Sequence, residues 1–363
     1  MKTKIFLRSS QVLIGLGLCF VLCNPTFAMS DGELGEPVSS ILDDHWSLDK
    51  VKLRSVMSYW DDDGTVPNII TDDEDRYYTS GEAVLSDYSF DLNLSDKWIQ
   101  RLAPAEKWDE PNFGFGLALK QQIFTSSEIT DVPPPADDHP YSGYLYIAFS
   151  FQRSDKDKHD HFELDMGVVG ERSQGESVQK AIHNVFGADE PLGWGSQLAN
   201  ELTINFTYER TWRSEPGNIG GLEFELLPAV GFDVGNVSIK ARGRATFRFG
   251  KHLPNDFGPP TFLGHRDHTA TAFGSKDDSW SIYGYTTLGV DAVAHSIFLD
   301  GNTFATSPSV EPEPIVAQIT VGLIATLGCF QFGIAETWQS DTFQTQEHAQ
   351  SFGSILLGWT YEY

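Results

Sequence analysis

The feature that most constrains this chain is alternation. Toward its end, Ile355, Leu357, Trp359, Tyr361 and Tyr363 interleave with Ser354, Leu356, Gly358, Thr360 and Glu362. The same period of two runs through Leu202, Ile204, Phe206 and Tyr208, through Leu222, Phe224 and Leu226, and through Trp280, Ile282, Gly284, Thr286 and Leu288. Successive side chains of a strand point to opposite faces, so each segment offers one apolar face. Segments about ten residues long, rich in aromatics and split by turn residues, are the pattern of a transmembrane barrel. A soluble β-sandwich alternates in a similar way. The start of the chain favours the barrel: Lys2, Lys4 and Arg8, an apolar run from Val12 to Cys23, and Thr26-Phe27-Ala28 compose a secretory signal of residues 1–28.

Twelve candidate strands follow, at roughly 50–60, 82–92, 112–123, 142–153, 161–170, 201–213, 221–233, 237–249, 279–293, 313–325, 328–340 and 351–363. The expected fold is all-β: a twelve-stranded antiparallel transmembrane β-barrel over 50–363, after a periplasmic arm at 29–49. An even strand number returns both ends to the periplasm. Connections 61–81, 124–141, 171–200, 234–236, 294–312 and 341–350 then lie outside the cell, and 93–111 and 250–278 are long for the periplasmic side. The uncharged run 314–335 reads as two strands about a turn at Leu327-Gly328 rather than as a membrane helix.

Charge and cysteine content exclude several classes. The signal holds three of the 25 basic residues and none of the 51 acids, so the mature chain carries 22 positive against 51 negative side chains. Nucleic acid, which needs basic patches, is excluded as a partner. Cys19 and Cys23 leave with the signal and Cys329 remains alone, so no disulfide forms within one mature chain. The chain has no Gly-x-Ser-x-Gly elbow and no His-Glu-x-x-His.

One exterior connection carries the single convincing helix, Ser177 to Gly187. Val178, Ile182 and Val185 recur at helical spacing, Ser177 is the expected N-cap and Gly187 the expected stop. Gln179 and His183 stand four apart and share a face, and Gly193-Trp194 follow. Elsewhere Asp61-Asp62-Asp63 ends the first strand, and Asp72, Asp73, Glu74 and Asp75 precede Arg76-Tyr77-Tyr78-Thr79-Ser80-Gly81. Clustered carboxylates repel one another and commonly form a solvated loop; they also suit Ca²⁺, which takes six to eight oxygen ligands.

These motifs, in this order, resemble the outer-membrane lipid A 3′-O-deacylases of the LpxR type. The resemblance runs from about Val51 to Tyr363 and rests on Asp61-Asp62-Asp63, the Asp75–Gly81 turn, His139–Gly143, the Gln179-x-x-x-His183 helix with its Gly-Trp, Asp256–Pro260 and Phe298–Asn302. It implies a Ca²⁺-dependent esterase in the outer membrane, acting on lipid A or lipopolysaccharide at the outer leaflet. His183, Gln179, Thr79 and Asp61 fall on catalytic positions, Asp61 standing where the family has Asn, and Asp62 falls on the metal position. Asp189 stands where the family has Glu and His139 where it has Arg, with Tyr78 beside Thr79 as a supporting or substrate-contacting residue. A Lys of the third-strand loop has no counterpart. An imidazole with its ordinary pKa of about 6.5 suits a base that activates water. An outer-membrane phospholipase and a non-catalytic porin-like barrel are the alternatives.

Overall fold

In the computed structural model, residues 51–63, 76–90, 108, 112–259 and 280–360 are described. The signal, the N-terminal arm and the acidic run 72–75 lie outside them. Thirteen strands form one antiparallel sheet: β1 (Val51–Asp62), β2 (Tyr77–Phe90), β3 (Asn112–Thr125), β4 (Ser142–Ser154), β5 (Lys158–Val169), β6 (Glu201–Trp212), β7 (Gly217–Ile219), β8 (Leu222–Gly235), β9 (Ser238–Lys251), β10 (Trp280–Ser296), β11 (Ile315–Leu327), β12 (Phe330–Gln339) and β13 (Gln350–Thr360). β1 pairs with β13, and β6 pairs with β8 across the short β7 hairpin, so twelve strands close a barrel. Each expected strand is present. β2 begins five residues early, because a bulge between Tyr78 and Ser80 lets the Thr-Ser-Gly segment continue the ladder instead of turning. β11 and β12 meet at Gly328, which adopts φ +56.

The outer face is layered. Tyr88, Phe115, Phe151, Phe162, Tyr208 and Phe232 are successive register partners across six strands, a continuous aromatic row. The next row toward the other rim holds Leu117, Phe149, Leu164, Phe206 and Val234, and the row after it Leu119, Ile147, Met166 and Ile204. Nearly all of these apolar side chains are exposed. An outward apolar band beside an aromatic girdle is what a lipid-embedded wall requires.

The bore is polar and filled. Lys120 pairs with Glu163 at 3.0 Å and Lys240 with Asp291 at 3.1 Å, while Arg242 meets Asp233 and Arg248 meets Glu225, all buried or nearly so. Asp256 and Phe257, on the segment after β9, are buried as well; Asp256 accepts from Arg248 and Phe257 packs edge-on against His159 at 5.3 Å. Charges held this way avoid the cost of an unpaired buried ion and leave little room for a water column. Part of the long connection after β9 thus closes the barrel from below.

Candidate active site on the outer wall

Helix α1 (Gly175–Phe186) starts two residues before the expected Ser177 cap. Gln174 precedes it at φ 63 and makes no side-chain cap bond; Gly187 ends it at φ 71. The helix is seated on the outer face of β3 and β4 by close backbone approach. A Cβ on Gly143 would overlap the Ser173 hydroxyl and lie 3.0 Å from the Gly175 Cα. Gln121, which faces outward, donates from Nε2 to the Ser173 carbonyl at 2.6 Å. Ile123, Tyr141 and Trp194 form a small buried cluster against which Val178 packs.

This seating rotates the buried face away from the centre of the apolar stripe, leaving Val178 and Ile182 half-buried. Val185 is 58 % exposed, whereas Gln179 and His183 are buried at 2 % and 6 % exposure. Each buried polar group has its orientation set. The Trp194 indole N–H donates to Gln179 Oε1 at 2.8 Å, leaving the amide nitrogen, buried and without a partner, as the donor end. His183 Nδ1 lies 2.5 Å from the carbonyl oxygen of Asp189. A carbonyl only accepts, so Nδ1 carries the hydrogen and Nε2 is the basic nitrogen of the neutral ring. Asp189 therefore acts through its main chain, and its side chain is exposed.

Strand register places the other candidates. Asp62 pairs with Ser80, Ser80 with Ile123, and Ile123 with Gly143, a single lateral row across four strands. Alternation puts that row on the outer face, just above the apolar band, where α1 sits. The bulge brings Thr79 to the same face, and its hydroxyl lies 2.8 Å from that of Thr125. With strands about 4.8 Å apart, Asp62 stands roughly 10 Å along the wall from β3. Asp62, Thr79, Gln179 and His183 thus share the outer wall.

Asp61, Tyr78 and His139 do not. Asp61 points into the bore, accepting from Tyr78 Oη at 3.0 Å and Ser354 Oγ at 2.7 Å. His139 stacks on Phe124 at 5.4 Å, and Phe124 stacks at 4.3 Å on Phe298 of α2 (Ile297–Asp300). These rings roof a cavity of about 140 Å³ in the barrel mouth, on the far side of the wall from α1. Burial drives the His139 pKa down to about 4, so the ring is neutral. Asp63 accepts the Arg76 amide at 2.6 Å, and its own N–H bonds the Thr79 carbonyl at 3.2 Å.

The donors facing outward here, the carboxylate of Asp62, the hydroxyl of Ser80 and, one row deeper, the carboxylate of Glu82, are all hard oxygens. That chemistry fits Ca²⁺ rather than Zn²⁺. Among the described residues no three His, Cys, Asp or Glu side chains converge as a metal cage, so a cation held here would take much of its shell from water and substrate oxygens. Sequence reading missed Thr125 and Gln121, and named Gly143 only as the end of a motif. Their common signal is outward parity on β3 and β4 at the level of Asp62.

A family model described as outer membrane protein LpxR matches residues 17–361. The chain belongs to the LpxR family. LpxR from Salmonella typhimurium has the same fold, with a TM-score of 0.67 at 17 % identity, covering 85 % of this chain and 100 % of that one. The β domain of the Bordetella autotransporter BrkA overlaps more loosely, with a TM-score of 0.39 at 10 % identity over 86 % of this chain and 99 % of that one. No curated protein matches the chain. This LpxR-family member is an outer-membrane β-barrel, and its α1 lies outside the barrel wall rather than in the bore.

Proposed function

We propose that this LpxR-family protein is a Ca²⁺-dependent lipid A 3′-O-deacylase whose site opens on the outer leaflet. The observation that carries the reading is the lateral row Asp62–Ser80–Ile123–Gly143. It ties the acid, the Thr79 hydroxyl and the buried Gln179–His183 face of α1 to one stretch of wall at the edge of the apolar band. An ester at the boundary of acyl chains and headgroups meets the protein at that height. His183, its Nδ1 hydrogen held by the Asp189 carbonyl, takes a proton at Nε2 from water attacking the ester carbonyl and returns it to the departing sugar oxygen. Gln179, fixed by Trp194, donates from its amide nitrogen to the water or to the carbonyl oxygen. Asp62 would hold the cation, with the hydroxyl of Ser80 beside it. When bound, Ca²⁺ supplies positive charge that polarises the ester carbonyl and stabilises the oxyanion.

The filled bore speaks against a channel, and no serine of the outer-wall row stands in a nucleophile motif, which a serine phospholipase would need. Lipid A mass spectrometry on cells expressing the chain tests the proposal. Loss of the 3′ acyl group, dependent on Ca²⁺ and abolished in both Asp62→Asn and His183→Ala, is the expected result. Unchanged lipid A, or full activity in excess chelator, would overturn it.

A further inference from the structure

At the opposite end of the wall, where β1 begins and β13 ends, the row below the aromatic girdle is charged. Phe113, Arg153, Asp160 and Arg210 are register partners in turn on β3, β4, β5 and β6. They are outward, two residues from Phe115, Phe151, Phe162 and Tyr208. Arg153 reaches Asp160 at 2.5 Å, Arg210 reaches it at 2.6 Å and 2.8 Å, and the Tyr208 hydroxyl donates to it at 3.1 Å. The Trp108 ring caps the group, 4.0 Å from the Arg153 guanidinium and 4.4 Å from Lys158 Nζ. Two guanidiniums therefore clamp one carboxylate, and the Lys158 ammonium sits against the ring that caps them. In the adjoining turn, Asp155 accepts the amides of Asp157 and Lys158 at 2.9 Å each, and Asp157 pairs with Lys156 at 4.0 Å.

Two donors at this spot have no acceptor. Arg153 Nε and Trp108 Nε1 are both buried and without a hydrogen-bond partner, and Arg153 is only 6 % exposed. Buried N–H groups left unsatisfied are costly, so the arrangement asks for an oxygen acceptor, and the surplus positive charge asks for an anionic one. In a strongly acidic chain such a concentration of cations is unusual. Height narrows the choice, because just past an aromatic girdle the wall meets lipid headgroups. An Arg pair with an unpaired Nε–H and an unpaired indole N–H in the same cluster suit a phosphate diester.

We propose that Arg153, Arg210, Lys158 and Trp108 form a binding site for the phosphate of an anionic phospholipid in the leaflet opposite the esterase site. The site is separate from the outer-wall row, about ten residues away along β3, and hydrolysis does not require it.

Native mass spectrometry of the full, folded barrel in neutral detergent reads the site directly, with phosphatidylglycerol, phosphatidylcholine, lipid A and inorganic phosphate as probes. Phosphatidylglycerol should be retained in preference to phosphatidylcholine. Arg210→Gln should cut that preference about fivefold, the worth of one basic group near a charged headgroup. Asp160→Asn, which removes the competing carboxylate, should raise it. Heat-modifiability on gels confirms that each variant is folded, and if Arg210→Gln does not fold, Lys158→Gln and Trp108→Phe replace it. Equal retention of the two phospholipids in the wild type, or a preference unmoved by all variants, would overturn the proposal. So would displacement by millimolar inorganic phosphate, which would mark a site for a free anion, or selective retention of lipid A, which would assign the row to the other leaflet. Deacylase activity is not a readout, so this test stands or falls apart from the proposed reaction.

Discussion

The contact between Gly143 and Gly175 sets where His183 stands, and Gly143→Ala tests it. The added methyl would overlap the Ser173 hydroxyl and sit 3.0 Å from the Gly175 Cα and 3.1 Å from its amide nitrogen. The hydroxyl can rotate away at the loss of its 2.6 Å bond to the Gly170 carbonyl. The Gly175 backbone has no such freedom and must retreat by roughly half an ångström to reach ordinary carbon contact distance of about 3.5 Å. A shift at the first residue of α1 propagates to Gln179 and His183, one and two turns on. Misplacing a catalytic group by about 1 Å can cost a hundredfold in rate, so kcat should fall between about tenfold and a hundredfold. The barrel should stay folded, because Gly143 keeps its pairing with Ile123. The assay is release of the 3′ acyl group from purified lipid A by refolded protein. Gly143→Ala/Ser173→Ala separates the two clashes: it should recover little if the backbone contact dominates. Wild-type turnover in Gly143→Ala would refute the reasoning, and so would full recovery in the double variant.

Trp194→Phe removes the indole donor to buried Gln179, a loss of about 1–3 kcal/mol locally; turnover should drop at least tenfold while metal dependence is unchanged, read in the same acyl-release assay. Leu119→Lys, in the middle of the apolar band, should cost roughly 2–4 kcal/mol of folding free energy in bilayers, measurable by urea titration in lipid vesicles. His139 has its folded pKa lowered to about 4 against about 6.5 unfolded. The unfolded loop binds the proton more readily, so loop stability is complete above about pH 6.5 and falls by up to about 3 kcal/mol as pH drops toward 4. Hydrogen exchange of residues 126–141 should rise over that window, and His139→Phe should flatten the response.

Much of the barrel was legible because lipid and bore demand opposite side chains at alternate positions, and nothing else explains Leu117, Leu119 and Phe149 against Lys120 and Ser150. The start of β2 was harder to read: Thr79, Ser80 and Gly81 carry turn-forming chemistry, and only pairing with β3 makes them strand. The helix was legible from its spacing, but the centre of its buried face was not. Apolar spacing points to Val185, whereas burial follows Gln179 and His183 because Trp194 and the Asp189 carbonyl satisfy them from a distant part of the loop. Which of Asp61 and Asp62 faces the wall was in principle readable by counting parity from Met57 and Tyr59, both inside. That two glycines on separate elements would touch at Gly143 and Gly175 leaves no trace in local pattern, since the contact exists only after the barrel closes. The long segment after β9 was a misfit as a periplasmic turn, and the burial of Asp256 and Phe257 gives it a purpose.

The girdle and the site row are eight residues apart on one rigid strand, Phe115 to Ile123. That is about 26 Å of chain, or near 20 Å along the membrane normal once a tilt of about 40° is allowed for. Anchored by rings at one boundary, the protein is a ruler: it holds His183 at a height the bilayer does not choose. An ester reaches that height only if the membrane has the matching thickness. Lengthening or shortening the acyl chains of the surrounding phospholipid should therefore detune the enzyme without touching a single residue, since mismatch is absorbed by the soft bilayer before the barrel.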